Sequence, residues 1–239
     1  MQAIILAGGL GTRLASVLSG SPKPMADING KPFLELLLGF LARKGVQSVV
    51  LALGHKADFI KGHFGGDFRG IKILYSVENA PLGTGGALKK ALQLCDKKDI
   101  LVFNGDSFFE LDLRDFCGRA SENSKILLAL KMMKDFDRYG RVELDAKGFI
   151  AGFAEKRHCE KGLINGGVYL VKKDIFGAFN GLGECFSFEN FLQENFKTLN
   201  ARGEIFEGYF KDIGVVGDYE QFKKDIKNNI ISHNFVLNL

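Results

Sequence analysis

The chain has 239 residues, 46% hydrophobic and 25% charged, the balance of a globular protein with a core of its own. Its 32 Lys and Arg against 28 Asp and Glu leave a net charge of +4, which suits anionic small molecules and is too weak for a nucleic-acid surface. The four cysteines (Cys95, Cys117, Cys159, Cys185) form no CxxC and the four histidines no ligand spacing, so reduced thiols are expected, and the N-terminal apolar run is too short for a signal peptide or membrane span, so a cytoplasmic protein without a membrane partner is expected.

"QAIILA" reads as a buried strand that stops at glycines. "PFLELLLGFLARKGV" has helical spacing and a stop at Gly45, "SVVLALG" is a second strand, "KADFIKGHFG" a short helix and "IKILYSVE" a third strand. "GTGGALKKALQLC" starts a helix at glycines, and "DILVFNGD" is a fourth strand ending in an acid. This alternation predicts an α/β fold with a mostly parallel sheet and helices on both faces. After about residue 124, "KILLALKMM", "GRVEL", "GFIAGFAEK" and "KGLINGGVYLV" read as strands with shorter connections, followed by a helix over 188–201, a strand "EIFEGYF" and a helix "VGDYEQFKKDIKN". This second half is expected to be more antiparallel and to extend the same sheet. No linker, internal repeat or C-terminal hexapeptide run divides the sequence, so residues 1–239 are read as one domain, with 1–124 and 125–239 as its two parts.

The loop after the first strand, "LAGGLGTRL" followed by "GSPKP", places glycines, Arg13 and Lys23 together. Glycines let backbone N–H groups approach an anion, and the carboxyl end of a strand is where open α/β sheets bind ligands, so the loop describes a phosphate site. It is not a Walker loop, because no GxxxxGK[ST] occurs. It is not a dinucleotide fingerprint either: from Gly9 the third glycine is replaced by Leu14, and the second strand runs into Gly54 and His55 without the ribose-binding acid.

"GGLGTRL…PKP" resembles the N-terminal signature of the sugar-1-phosphate nucleotidyltransferases, which join a nucleoside triphosphate to a sugar 1-phosphate and release pyrophosphate. The resemblance continues in order through "PLGTGGAL", "FNGDSF", "YGRVELD", "FAEK", "INGGVY" and "FKDIG". It implies a Rossmann-like nucleotidyltransferase fold with a smaller antiparallel sugar-binding part. It implies nucleotide contacts by Leu6, Ala7, Gly8, Gly9, Gly11 and Thr12, and by Gly83, Thr84 and Gly105. Catalytic charge would come from Arg13 at the leaving phosphates, Lys23 at the α-phosphate and Asp106, with Asp106 and Asp212 as ligands of a Mg²⁺ cofactor. Sugar contacts fall on Gly140, Glu155, Lys156 and Asn165, and Arg157 replaces the proline that often follows Glu-Lys in the family. By themselves Asp106 could be a turn residue, Asp212 a helix cap and Glu155 an acid in a solvated strand. A homo-oligomer is compatible with this reading.

The nucleophile of such a reaction, a phosphate monoester with its second pKa at about 6, is already an anion near neutral pH, so no general base is needed. The family reads its base five residues before the LGTA-type glycine, which here is Glu78, where thymidylyl- and uridylyltransferases commonly carry glutamine. A carboxylate only accepts, and guanine presents two adjacent donors, so Glu78 favours GTP; alternatively it simply ends a strand. "LGTGGAL", "FDRYGRVELD" and "LINGGVYLV" look most like the members that act on a heptose 1-phosphate and make GDP-heptose for surface polysaccharide. Open alternatives are a mannose-1-phosphate guanylyltransferase, a uridylyl- or thymidylyltransferase, and a non-catalytic sugar-nucleotide-binding subunit, although Arg13, Lys23, Asp106 and Asp212 are all kept.

Overall fold

The computed structural model describes residues 1–9, 11–18 and 20–231; residues 232–239, the end of the expected single domain, lie outside the described residues. Strand β1 (Gln2–Leu6) leads into two 3-10 turns (Thr12–Val17 and Lys23–Met25), a ribbon of β2 (Asp27–Ile28) and β3 (Lys31–Pro32), and helix α1 (Phe33–Arg43). The alternation continues through β4 (Ser48–Leu53), α2 (Ala57–Phe64), β5 (Asp67–Phe68), β6 (Ile71–Val77), α3 (Gly83–Leu92) and β7 (Asp99–Asn104). Next come β8 (Ser107–Phe109), α4 (Leu113–Gly118), β9 (Ile126–Phe136), β10 (Arg141–Leu144), β11 (Ile150–Ala154) and β12 (Cys159–Lys172). Helix α5 (Phe188–Asn195), β13 (Arg202–Ile205), β14 (Phe210–Asp212) and α6 (Val216–Lys227) complete the order.

The main sheet runs β11-β10-β12-β7-β1-β4-β6-β5, with β9 beside β12 and β13 beside β9. β7, β1, β4 and β6 are mutually parallel, as the βαβ pattern requires. The pairs of β12 with β7, β9 and β10 are antiparallel, so the sheet continues without a break into the second half. Alternate strand residues face opposite layers. Ala3 and Ile5 pack with residues of α1, α2, α4 and α6, whereas Ile4 packs with α3 and α5. Helices therefore cover both faces, as expected from the sequence.

Three elements differ from the sequence reading. The late strand is two strands: β13 stays on the main sheet, and β14 leaves it to pair with β8. Gly208 between them lies so close to Glu110 O that a Cβ would sit 1.7 Å away, so only glycine permits the crossing. The helix expected over 188–201 is regular only to Asn195. Turns then lead to Asn200 in the left-handed region (φ 46°), and bonds from Ala201 N to Phe196 O (2.9 Å) and Asn200 N to Lys197 O (3.0 Å) form a Schellman-type ending. Third, β11 ends at Ala154, so Glu155 and Lys156 lie beyond it in an exposed turn.

The glycines opening α3 are packing positions. A Cβ on Gly86 would lie 2.1 Å from Glu184 O, so the segment 184–186 rests directly on the helix. Gly86→Ala should therefore lower stability by about 1–3 kcal/mol through forced displacement of that segment. Gly62→Ala, at a position inside α2 with open space around its Cβ, should instead raise stability by about 0.5–1 kcal/mol. Urea denaturation of the two variants checks the opposite signs.

Candidate active site

β1 lies between β4 and β7, so successive connections leave it toward opposite edges of the sheet. That is the topological switch point, and a crevice opens where neighbouring loops diverge beyond the strand ends. A cavity of about 610 Å³ sits there, large enough for a nucleotide. Leu6, Ala7, Gly8 and Gly9 line it from the end of β1, and Asn104, Gly105 and Asp106 from the end of β7. Lys23, Glu78, Gly83 and Thr84 complete the expected residues on its wall.

Where β1 and β7 end, Gly105 N donates to Leu6 O (2.9 Å), and a Cβ on Gly105 would lie 2.5 Å from that same oxygen. Glycine thus draws the two strand ends together. The nearly buried Lys23 places Nζ 2.6 Å from Asp106 Oδ2. Gly11, at φ 66°, lies where a Cβ would meet Lys23 Cβ at 2.7 Å, so the glycine loop is pressed onto the lysine. Asp212 comes from β14, which pairs with β8 so that Asp212 stands opposite Ser107, and Ile213 N donates to Asp106 O (2.9 Å). Burial, then the Asp106 charge, pushes the Asp212 carboxyl above its ordinary value, while Lys23 and the Gly214 N–H (2.6 Å from Oδ1) act in the opposite sense.

Two converging carboxylates, one of them electrostatically penalised by the other, are a fit for a cation. Among the described residues no group of three or more His, Cys, Asp or Glu could hold a metal, so the protein offers a two-carboxylate set. That matches Mg²⁺, which keeps waters and substrate phosphates as its other ligands, and not a structural zinc cage.

Arg13 and Thr12 are exposed on the first 3-10 turn and do not line the cavity. The turn buries Leu14 and Leu18 on its inner side, which leaves Arg13 on the outer one.

Elsewhere on the cavity wall, Glu78 follows β6 and is anchored by its N–H to Leu53 O (2.8 Å). Its Oε2 accepts the Leu82 N–H (2.8 Å), and its Oε1 lies 3.0 Å from the point a Cβ on Gly8 would occupy. Glu78 therefore spans both alternatives left by the sequence: it supports the 78–82 loop and it faces the cavity. Thr84 likewise has two surroundings, since it lines the cavity while Oγ1 accepts the Phe188 N–H (2.9 Å) at the start of α5.

Of the expected sugar residues only Asn165 lies in a strand, β12; Gly140 immediately precedes β10, and Glu155 and Lys156 follow β11. Arg141, the residue after Gly140, is paired with both Ala154 and Ile164, the residues before Glu155 and Asn165. Asn165 is the member tied to the cavity. Its Oδ1 accepts the Gly167 N–H (3.0 Å), which orients Nδ2 toward Tyr169 Oη (2.8 Å), and Tyr169 lines the wall. Gly140, Glu155 and Lys156 do not line the cavity. Burial raises the Tyr169 hydroxyl pKa, and the Glu189 charge adds to that. Tyr169, Asn104, His55, Phe188 and Glu189 are wall residues that the sequence reading did not single out. Tyr169 and Asn104 stand inside quoted motifs and could have been found, whereas Phe188 and Glu189 arrive only because α5 packs on α3.

An acid whose folded pKa is raised contributes stability below its unfolded pKa that is lost as pH rises through the folded value. Asp212→Asn should therefore be more stable than wild type at pH 7, with the difference disappearing toward pH 3–4. Denaturation midpoints at the two pH values check this, and the variant should be inactive.

A family model described as nucleotidyl transferase matches residues 2–229. The chain is 54% identical to D-glycero-alpha-D-manno-heptose 1-phosphate guanylyltransferase of Campylobacter jejuni, covering 93% of this chain and 98% of that one. It is 44% identical to the protein of the same name from Aneurinibacillus thermoaerophilus, over 96% of this chain and 100% of that one. Among solved structures, HddC from Yersinia pseudotuberculosis complexed with GMP-PN superposes with a TM-score of 0.81 at 35% identity, covering 94% of this chain and 98% of that one.

Proposed function

The chain belongs to the nucleotidyl transferase family, and from that premise we propose that it is a sugar-1-phosphate guanylyltransferase that moves GMP from GTP to D-glycero-alpha-D-manno-heptose 1-phosphate, giving GDP-heptose and pyrophosphate. The observation that carries the reading is Lys23 set on Asp106 on the wall of a nucleotide-sized cavity that Glu78 also lines, with Asp212 near enough to feel the Asp106 charge. The 1–124 part would hold GTP and the 125–239 part the sugar phosphate, within one domain.

Nucleotidyl transfer asks for alignment of an anionic nucleophile with the α-phosphorus and for cations against charge that moves to the leaving phosphates. Lys23 supplies a point charge at the α-phosphate, held by Pro22 and Pro24 on either side. Backbone amides of Gly9, Gly11 and Thr12 approach the triphosphate, and Arg13 reaches the leaving phosphates from the outer side of the loop. Asp106 and Asp212 would hold Mg²⁺, which supplies charge neutralisation between phosphates. The sugar phosphate brings its own charge, so no side chain acts as general base.

Glu78 selects guanine. Its carboxylate has about four lone-pair sites. With Leu82 N–H on Oε2, acceptors remain for N1–H and the 2-amino group, whereas uracil and thymine offer one donor between two carbonyl oxygens. A cytoplasmic location and a homo-oligomer are part of this proposal; no described helix is long and apolar enough to cross a membrane.

A matrix of four nucleoside triphosphates against several sugar 1-phosphates, read by pyrophosphate release with and without EDTA, tests the reading. GTP with the heptose 1-phosphate should give the highest kcat/KM, and EDTA should abolish turnover. A preference for UTP would overturn the guanine assignment. Glu78→Gln should lower kcat/KM for GTP by about 1–3 kcal/mol, roughly 5- to 200-fold, and that for UTP or dTTP much less. Lys23→Ala should keep the fold and cut kcat by about 10²-fold, which stopped-flow pyrophosphate detection resolves.

A further inference from the structure

The turn joining β4 to α2, Gly54–Lys56, belongs to none of the family motifs and touches the phosphate loop twice. At the start of the loop, Gly54 lies against Gly8, where a Cβ on Gly54 would come within 3.0 Å of Gly8 O. At the end of the loop, Lys56 Nζ donates to the Gly20 carbonyl. Between these two contacts His55 lines the cavity. Three consecutive residues thus hold both ends of a loop that begins at Gly8 and returns at Gly20.

Lys56 makes its contact from a costly backbone. Its φ of 58° and ψ of 34° are left-handed, at the residue preceding the first turn of α2. Glycine adopts that conformation without Cβ crowding, and asparagine adopts it more readily than lysine. The feature a lysine adds there is reach. Among the described residues no carboxylate lies within ion-pair distance of Lys56, and its ammonium goes to the loop carbonyl.

What is fixed at Gly20 is passed on to Lys23. Ser21 N donates to Leu18 O (2.8 Å) and Met25 N to Pro22 O (2.8 Å), so the chain from Gly20 to Met25 is a run of closed turns. Pro22 and Pro24 restrict φ on either side of the lysine. A shift of the Gly20 carbonyl therefore moves the backbone that aims Lys23 at Asp106, and with it Gly11, which is packed on Lys23 Cβ.

We propose that Lys56 is a positioning residue that clamps the phosphate loop shut, with Gly54 as the second jaw, so that the loop amides and Lys23 are set before the triphosphate arrives. Its kinetic consequence rests on the guanylyltransferase reading, and its structural consequence does not. Lys56→Gly separates the two, because it removes the ammonium while relieving the backbone. The variant should be at least as stable as wild type by urea denaturation. Hydrogen exchange in peptides covering residues 8–23, measured without substrate, should become at least about 10-fold faster, the low end of what loss of a charged hydrogen bond produces. KM for GTP should rise by about the same factor, with KM for the sugar phosphate unchanged, and Lys56→Arg should restore most of both. Lys56→Gly with wild-type exchange in the loop, or with loosened exchange and an unchanged KM for GTP, overturns the proposal. A wild-type protein that fails to use GTP, yet whose loop is loosened by Lys56→Gly and retightened by Lys56→Arg, supports the clamp and overturns only the choice of nucleotide.

Discussion

Two carboxylates near enough for the charge of one to raise the pKa of the other need positive charge beside them, and the organisation of this protein follows from that requirement. Asp106 lies in the turn between β7 and β8, Asp212 ends β14, and the β8–β14 ribbon brings them together through the Ile213 N–H to Asp106 O bond. Burial and mutual repulsion raise the Asp212 pKa. The ammonium of Lys23, 2.6 Å from Asp106, is the intramolecular answer. To deliver it, the chain after β1 turns back over the strand ends, which is why Gly11 must lie against Lys23 and Gly105 against Leu6 O. The glycines that the sequence offers to phosphate are the same ones that let the loop fold down on the acids.

The cavity is a joint product of both halves of the chain. α3 begins with glycines because residues 184–186 occupy the space where its side chains would be, and Thr84 receives the first N–H of α5. β12 carries the same coupling through the sheet. It exchanges β10 for β7 as a neighbour near Asn165, where the register slips, and Gly167 (φ 71°) lets it pass Asn104. Asn165 and Tyr169 sit on either side of that slip, so a change in the sugar-side strands reaches the wall of the cavity through one hydrogen bond.

The parallel half was legible in the sequence because its strands are buried on both faces and its helices alternate with them, so periodicity and glycine stops mark each boundary. Gly11, Lys23 and Asp106 were all singled out from the sequence, and the structure brings them together, Lys23 against both of the others. Other features depend on distant packing. Nothing in "EIFEGYF" says that Gly208 must clear Glu110, so the crossing from β13 to β14 was invisible. Nothing near Phe188 or Glu189 announces a cavity wall, since α5 acquires that place from α3. Arg13 was expected at the leaving phosphates, yet it lies exposed on the outer side of a turn whose burial of Leu14 and Leu18 could not be read from the motif.

In the role proposed for it, Glu78 would tie base choice to loop shape. The turn from β6 into α3 needs an acceptor for the Leu82 N–H, and Glu78 Oε2 provides it at 2.8 Å. Guanine then brings two more donors, so three donors converge on one side chain. A carboxylate has lone pairs enough for all three. A glutamine has acceptor capacity on its oxygen alone; if that oxygen stays with Leu82, its NH₂ group faces the base and meets guanine donor to donor. If the amide turns to serve guanine, the Leu82 N–H loses its partner and the loop ahead of Gly83 is released. Either route has a cost with guanine that it lacks with a base carrying a single donor flanked by acceptors, which the NH₂ can satisfy. The loop bond therefore makes the acid more discriminating than its contact with the base alone would, because it removes the option of simply rotating an amide to suit.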